Sequence, residues 1–151
     1  MTADTSVDVR EVIFVNQRCE KDYLLLPRDV GEAADGMLDA LQNSKPPSGR
    51  SYEALTNDRR LAGVWELKLP YDGDTYRVYV WLGCAHAVFV LDAGPKKANT
   101  GKGMPEWQKE RLAERLITAK SESSRLAGEL FAAYDARARR RARLKGSKSN
   151  G

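Results

Sequence analysis

The sequence predicts an α+β fold: a small twisted antiparallel sheet with N-terminal helices packed on it and a long C-terminal helix. Three observations predict it. Residues 64–82 alternate apolar and polar side chains with a period of two, as in a strand hairpin. Residues 27–41 carry an apolar stripe at steps of three and four, and a second such stripe begins at residue 105. At 151 residues, the chain fits one soluble domain with a tail.

The N-terminal part is predicted to be a strand followed by a helix. Residues 9–15 are rich in β-branched side chains, which favours a strand. Between Val30 and Leu41 the apolar residues fall on one helical face, and Pro27 suits the first turn of that helix. Two glycines in the segment each weaken the helix by about 1 kcal/mol relative to alanine, so packing must hold it.

One or two helical turns are predicted next, over residues 51–61. Ser51 is a plausible cap for them. Arg59 and Arg60 fall at the C-terminal end, where the helix dipole favours cations. The pair has two interpretations, a solvated helix end or a nucleic-acid contact.

The hairpin is predicted to have one core face and one solvent-exposed face, with a turn at residues 71–74. Residues 87–91 are apolar without alternation, which predicts a third strand covered on both sides. The predicted core face carries Trp65, Leu67, Leu69, Tyr76, Val78, Val80 and Leu82, and the exposed face carries Glu66, Lys68, Thr75, Arg77, Tyr79 and Trp81.

The C-terminal helix is predicted to start at Pro105 and to reach about Lys145. At 1.5 Å per residue it would measure about 60 Å, which is longer than a domain of this size is wide. It must therefore break, with the break predicted at residues 121–124 or Gly128, or project. The predicted division is a domain over residues 1–120 and a basic helical extension over residues 121–151 whose end, beyond Lys145, is disordered.

Charge is distributed unevenly along the chain. The totals are 25 Lys and Arg against 21 Asp and Glu, a formal net charge of +4. Seven of the basic residues follow Asp135, the last acid, so residues 1–135 carry 18 basic and 21 acidic residues, a net charge of −3. The basic character therefore belongs to the tail, and a nucleic-acid site on the domain must depend on local placement.

Several classes of protein have no support in the sequence. The first eight residues lack the basic and apolar segments of a signal or transit peptide, and no run approaches the roughly 20 apolar residues of a membrane span, so a cytoplasmic protein without membrane contact is expected. Cys19, expected near the end of a strand, and Cys84 lie far apart and are expected to be free thiols. Neither a metal site nor a cofactor is predicted, and no phosphate loop, nucleophile elbow or dinucleotide fingerprint is present.

The predicted exposed face carries side chains suited to RNA chemistry. RNA is cleaved without a metal when its 2′-hydroxyl is deprotonated, the phosphate charge is neutralised and the leaving oxygen receives a proton. Lys68 and Arg77 fall on neighbouring strands, Lys96 and Lys97 follow the third strand, and Tyr79 offers a ring for stacking or a hydroxyl for proton transfer. The alternative is a solvated face whose cations are paired across the strands by residues such as Glu66.

Two further basic segments are candidates for RNA binding. Residues 93–103 contain no acid, and Lys102 joins the two lysines above, among glycines that allow close backbone approach to a phosphate. The tail, with Arg139, Arg140 and Arg141, is either a solvated helix end or a polycation that binds RNA or DNA with salt-sensitive affinity.

The order of these elements resembles the RelE/ParE toxin superfamily, closest to its HigB and phage-derived branch. The matching features are residues 63–68, the Tyr-Arg-Val-Tyr run at 76–79, the apolar third strand, and the lysine pair followed by a loop and a Glu/Arg-rich helix. Residues 26–30, which lead into the predicted helix, are similar to the start of the family's first helix.

The resemblance implies a toxin of a type II toxin-antitoxin system that enters the ribosome and cuts mRNA as a metal-independent endoribonuclease. It implies a cognate helix-turn-helix antitoxin, HigA-like, that covers the basic surface. Carried over, Lys68, Arg77, Lys96 and Lys97 would orient and neutralise the scissile phosphate, with Tyr79 beside them. Two alternatives stay open: a ParE-like inhibitor of DNA gyrase, and a noncatalytic, phage-derived nucleic-acid-binding or regulatory protein that acts through its tail.

Overall fold

A computed structural model describes residues 10–47, 51–56, 58–95 and 104–149; within it, the side chains of residues 130–135, 138 and 144–149 are not described. The fold is α+β, as predicted. In chain order the elements are β1 (Glu11–Phe14), α1 (Gln17–Leu24), α2 (Arg28–Gln42), β2 (Tyr52–Ala54), a 3-10 turn (Arg59–Leu61), β3 (Val64–Tyr71), β4 (Asp74–Trp81), β5 (Ala87–Pro95) and α3 (Glu106–Ser149).

The sheet has five strands in the order β1-β5-β4-β3-β2. The predicted hairpin is confirmed, since β3 and β4 pair antiparallel from Val64 opposite Trp81 to Tyr71 opposite Asp74. Strands β4 and β5 are also antiparallel, but β1 pairs parallel to β5, so the sheet is mixed rather than wholly antiparallel. A parallel neighbour needs a long crossover, and here that crossover contains both N-terminal helices and the hairpin.

The helix α1 is not predicted by the sequence pattern. Cys19 lies inside it rather than near the end of a strand, which corrects that expectation. The helix is 8 residues long and buries only Cys19 and Tyr23, so its apolar stripe is too short to stand out. Asn16 caps it, because the Asn16 Oδ1 accepts a hydrogen bond from the Cys19 amide at 2.8 Å. The next helix, α2, is confirmed.

The predicted helical turns over residues 51–61 are wrong for their first part. Tyr52 to Ala54 form β2, an edge strand that pairs antiparallel with β3, and the Tyr52 ring stacks on Trp65 at 4.3 Å between centroids. Pairing with the existing sheet therefore overrides the local helical preference. The 3-10 turn that follows is capped by Asp58 rather than Ser51.

Both faces of the sheet are covered, which differs from the prediction. Against one face, α1 and α2 bury the predicted apolar residues, including Leu67, Val78 and Val80. Against the other, α3 packs Leu112, Leu116 and Ala119. This second face was predicted to be solvent-exposed, yet it buries Glu66, Tyr79 and Trp81. The strand β5 is buried on both sides, as its unbroken apolar run predicts.

The helix α3 spans 44 residues without a break, so the predicted break points at residues 121–124 and Gly128 are not used. At 1.5 Å per residue it measures about 66 Å, and it projects beyond the sheet. Among the described side chains of α3, Leu126 is the last that packs against the core cluster on this face. No helix in the described ranges is long and apolar enough to cross a membrane.

Candidate active site

Strands β3, β4 and β5 bring two rows of residues together on the face that α3 covers. In one row Glu66 lies opposite Tyr79, and Tyr79 lies opposite Asp92. In the other row Lys68 lies opposite Arg77, and Arg77 lies opposite Gly94. A Cβ added at Gly94 would meet nothing within 4 Å, so the second row ends in open space beside Arg77.

The two cations predicted on the sheet, Lys68 and Arg77, are both paired with carboxylates. The Arg77 Nη1 donates to Glu66 Oε2 at 2.9 Å. The Lys68 Nζ donates to Glu53 Oε2 at 2.9 Å and lies 3.9 Å from Glu66 Oε1. Hydrogen bonding and charge from Lys68 lower the pKa of Glu53. The cross-strand pairing by Glu66 that the alternative interpretation anticipates is therefore present.

Arg77 nevertheless keeps an unused donor. Its Nε is buried and has no hydrogen-bond partner among the described residues. A buried N–H without an acceptor costs about 1–3 kcal/mol, and a guanidinium uses its fork to bind carboxylates or phosphates at two points. An anionic oxygen placed beside Arg77 would relieve this cost.

Tyr79 is suited to hold a proton rather than to stack on a base. The residue is 3 % exposed, so the predicted stacking role does not fit its burial. Burial first, and then the charge of Glu66, raise the pKa of Tyr79 to about 12, while the charge of Arg77, and then a hydrogen bond from it, work in the opposite direction. At neutral pH the hydroxyl is therefore protonated and can donate, but it cannot serve as a general base.

A buried ion-pair cluster on α3 and β5 is missing from the sequence-based prediction. Asp92 is 1 % exposed. Its Oδ2 accepts from Arg111 Nη2 at 2.7 Å, and its Oδ1 accepts from Arg115 Nη1 at 3.2 Å. Arg115 Nη1 also donates to the Leu91 carbonyl at 2.8 Å. The sequence contains a pattern that could have indicated this cluster: an acid directly follows the apolar run of β5, and two arginines lie four residues apart on the next helix.

Several of these residues border a cleft of about 390 Å³, among them Asp92 and Arg111. Arg77, Tyr79 and Gly94 line the cleft from the sheet. Arg18 lines it from α1, and Leu25 lines it from the position directly after that helix. Trp107 and Arg111 line it from α3. Trp107 is 55 % exposed, and the Arg111 guanidinium lies 5.2 Å from the centroid of its ring. The cleft thus combines three arginines, a buried phenol and an accessible indole.

The predicted lysines Lys96, Lys97 and Lys102 lie outside the described residues. The chain enters their segment after Pro95 and leaves it at Met104, and both of these residues line the cleft.

The remaining predicted RNA-binding residues lie away from this cleft. Arg60 donates to Asp58 at 2.6 Å and to Glu106 at 2.9 Å, which ties the 3-10 turn to the start of α3, and Arg59 is exposed beside it. Arg139, Arg140 and Arg141 lie on the distal part of α3, where they are exposed.

Metal-ligating and thiol groups do not gather at the cleft. No group of three or more His, Cys, Asp or Glu residues in the described ranges is arranged to hold a metal ion. Cys19 and Cys84 are buried free thiols. Burial raises the pKa of Cys19 to about 12, so its thiol stays protonated at neutral pH.

Comparison with known proteins identifies the family. Residues 21–117 match the model of the family described as Phage derived protein Gp49-like (DUF891). The match covers more than half of the chain, including β2 to β5 and all the cleft residues above except Arg18. Neither the comparison with curated proteins nor that with solved structures gives a match. The chain belongs to the Gp49-like phage-derived protein family, a RelE/toxin-like family.

Proposed function

We propose that this protein is the toxin of a type II toxin-antitoxin system and that it cuts ribosome-bound mRNA in the cleft beside Arg77. One observation carries the proposal: a half-buried guanidinium whose buried Nε has no acceptor among the described residues, and a protonated phenol, border the same cleft. Membership of a RelE/toxin-like family supports it.

The proposed reaction is a transesterification within RNA. The 2′-hydroxyl gives up its proton to a water molecule as its oxygen attacks the adjacent phosphorus, the bond from phosphorus to the 5′-oxygen breaks, and that 5′-oxygen takes up a proton. Arg77 neutralises the charge that builds up on the non-bridging oxygens, where positioned cations have their largest effect. Tyr79 holds its proton at neutral pH and gives it to the leaving 5′-oxygen.

The rim of the cleft is suited to an unpaired base. Trp107 presents an exposed indole, and single-stranded RNA is commonly held by stacking on such rings. In this proposal Trp107 takes the stacking role, which is one of the two roles that the sequence suggests for Tyr79. Lys96 and Lys97 follow Pro95 at the cleft and add positive charge along the RNA backbone.

The proposal includes partners and a place of action. The ribosome and its mRNA are the target, in the cytoplasm, and a helix-turn-helix antitoxin, HigA-like, neutralises the toxin by covering the cleft. These assignments follow from the resemblance of the sequence to HigB, and the family match is consistent with a toxin-like protein.

The proposal is tested by cell-free translation with the purified protein. Wild type is expected to stop protein synthesis. Arg77→Lys keeps a cation for Glu66 but removes the fork and the Nε donor, so it should lower the inhibition rate at least tenfold. Arg28→Lys is the matched control, because Arg28 is exposed on α2 and pairs only with Glu32 in the described structure. Full inhibition by Arg77→Lys would contradict the proposed role of the cleft.

The ion pairs at Lys68 and Arg77 favour a second candidate, a noncatalytic toxin of the ParE type that inhibits DNA gyrase. Cations that are already held by Glu53 and Glu66 are less available to a phosphate. A supercoiling assay with purified gyrase separates the two. Inhibition of gyrase with intact translation would favour this second candidate over the nuclease.

A further inference from the structure

Charge is segregated along the single helix α3. Residues 106–135 contain five basic and six acidic side chains, so this proximal part is nearly neutral. Residues 136–149 contain seven basic side chains and no acid. We refer to residues 136–149 as the distal arm; its basic residues are Arg137, Arg139, Arg140, Arg141, Arg143, Lys145 and Lys148.

Packing is segregated in the same way. The proximal part buries Leu112 and Leu116 against the sheet, and its arginines have acidic partners: Arg111 and Arg115 bind Asp92. Arg125, further along, is paired with Glu122 and Glu129. In the distal arm, every described side chain, at residues 136, 137 and 139–143, is exposed. Contacts with the sheet therefore do not explain the sequence of this part of the helix.

We propose that the distal arm binds the phosphate backbone of a nucleic-acid duplex. Five arginines occur within residues 137–143, which span about 10 Å of helix. A duplex carries one negative charge per about 1.7 Å of its axis, so a cationic rod of this density releases many counterions when it lies along the backbone. Arginine adds a planar fork that binds phosphate oxygens at two points.

The composition of the arm favours nucleic acid over a membrane surface. The residues between the arginines at positions 136, 138 and 142 are all alanine. A helix that lies in a membrane interface needs a face of large apolar side chains, and residues 136–143 have none. The backbone of the arm is helical throughout in the described structure, so it does not have to fold on binding.

The arm is distinct from the cleft. Arg111 and Arg137 are 26 residues apart on one continuous helix, which places them about 39 Å apart along its axis. The family match ends at residue 117 and so excludes the arm. Duplex binding by the arm therefore goes beyond the proposed function, and each can fail without the other.

The test is fluorescence anisotropy with the full-length protein and labelled 20-base-pair duplexes of RNA and of DNA, over a series of salt concentrations. In one variant the five arginines at 137, 139, 140, 141 and 143 are all replaced by Gln, which keeps helix propensity. In the matched control the same five are replaced by Lys. The Gln variant should bind at least 30-fold more weakly at low salt, and its salt slope should be shallower by about 0.9 for each phosphate that it no longer neutralises. The Lys variant should stay within a few-fold of wild type.

The two duplexes identify the source of the phosphates, since tighter binding to one assigns the arm to RNA or to DNA. Equal affinity of wild type and the Gln variant for both duplexes would overturn the proposal. So would tighter binding of wild type to anionic phosphatidylserine vesicles than to either duplex at the same salt. Circular dichroism should give both variants the helix content of wild type, which shows that neither set of substitutions disrupts the helix.

Discussion

The two faces of the sheet are built from the same strands but differ in what they bury. The face beneath α1 and α2 is packed with aliphatic side chains together with Cys19 and Tyr23. The face beneath α3 buries three charged residues, Glu66, Asp92 and Arg115, among its apolar ones. Burying charge costs free energy unless it is paired, so a face that retains charged groups is the one expected to carry function.

The difference also shows how stability and function are divided. On the face beneath α3, an ion-pair cluster at Asp92 fixes the helix, and a second cluster at Glu66 holds Arg77 beside the cleft. On the other face, the helices are held by the packing of apolar side chains. Substitutions on the two faces should therefore differ in their effects on stability and on activity.

The largest effect is expected from Asp92→Ala, on the charged face. Removing this carboxylate leaves Arg115 buried without its acidic partner and frees Arg111, and breaking a buried pair typically costs about 3–5 kcal/mol. Urea unfolding should show the loss in the free energy of unfolding. Glu122→Ala, which removes an exposed partner of Arg125 on the same helix, should leave the midpoint nearly unchanged. Equal midpoints for the two variants would mean that the Asp92 cluster does not hold α3.

A slightly smaller loss of stability is expected from Leu67→Ala, on the apolar face. Leu67 is fully buried beneath α1 and α2, and such a truncation costs about 2–5 kcal/mol, nearer 3 where the site partly collapses. Because Leu67 does not line the cleft, translation inhibition per folded molecule should be unchanged at low temperature. Loss of inhibition in a variant that is still folded by circular dichroism would show that the two faces are not separable.

The functional contrast is tested with two tyrosines, one on each face. Tyr79→Phe removes the proposed proton donor and should lower the rate of RNA cleavage about 100-fold, which corresponds to about 2.7 kcal/mol. Tyr23→Phe, on the other face, removes a hydroxyl that donates to Asp35 at 2.6 Å and should leave cleavage unchanged. Single-turnover cleavage rates measure both. A similar rate for Tyr79→Phe and wild type would remove Tyr79 from the mechanism.

Alkaline pH should lower the free energy of unfolding through one buried group on each face, and the loss should begin at a different pH for each group. The pKa of Cys19 is raised from 9.0 to about 12, and that of Tyr79 from 10.0 to about 12, so the native state holds both protons more tightly than the unfolded chain. Stability is therefore fully present below pH 9 and falls as the pH rises towards 12. Unfolding midpoints at pH 8 to 11 should show the fall. Cys19→Ala should delay its onset, Tyr79→Phe should reduce only the part above pH 10, and a flat profile in wild type would contradict the burial of both groups.

Much of the fold could be predicted from the sequence. Period two over residues 64–82 indicated the hairpin, and the stripe over residues 27–41 indicated α2. The short helix α1 and the edge strand β2 were not predicted, because an element of 8 or 3 residues has too few apolar positions to establish a period. Their conformations depend on tertiary contacts with β5 and β3.

The candidate site could be predicted only in part. Alternation placed Glu66, Lys68, Arg77 and Tyr79 correctly on one face, but it could not show that α3 covers that face. The alternation along a strand assigns each side chain to one face of the sheet, but it does not show which face is exposed to solvent. The contributions of Arg111 and Trp107 were missed for the same reason, since they reach the cleft from a helix that is distant in sequence.

The central claim is that the face beneath α3 cuts RNA through 2′-hydroxyl chemistry beside Arg77. The most direct measurement maps the ends of an mRNA after incubation with purified ribosomes and wild-type protein. We expect fragments that carry a 2′,3′-cyclic phosphate on one side of the cut and a 5′-hydroxyl on the other, with none formed by Arg77→Lys at the same time point. Intact mRNA on ribosomes that have stopped translating would contradict the claim.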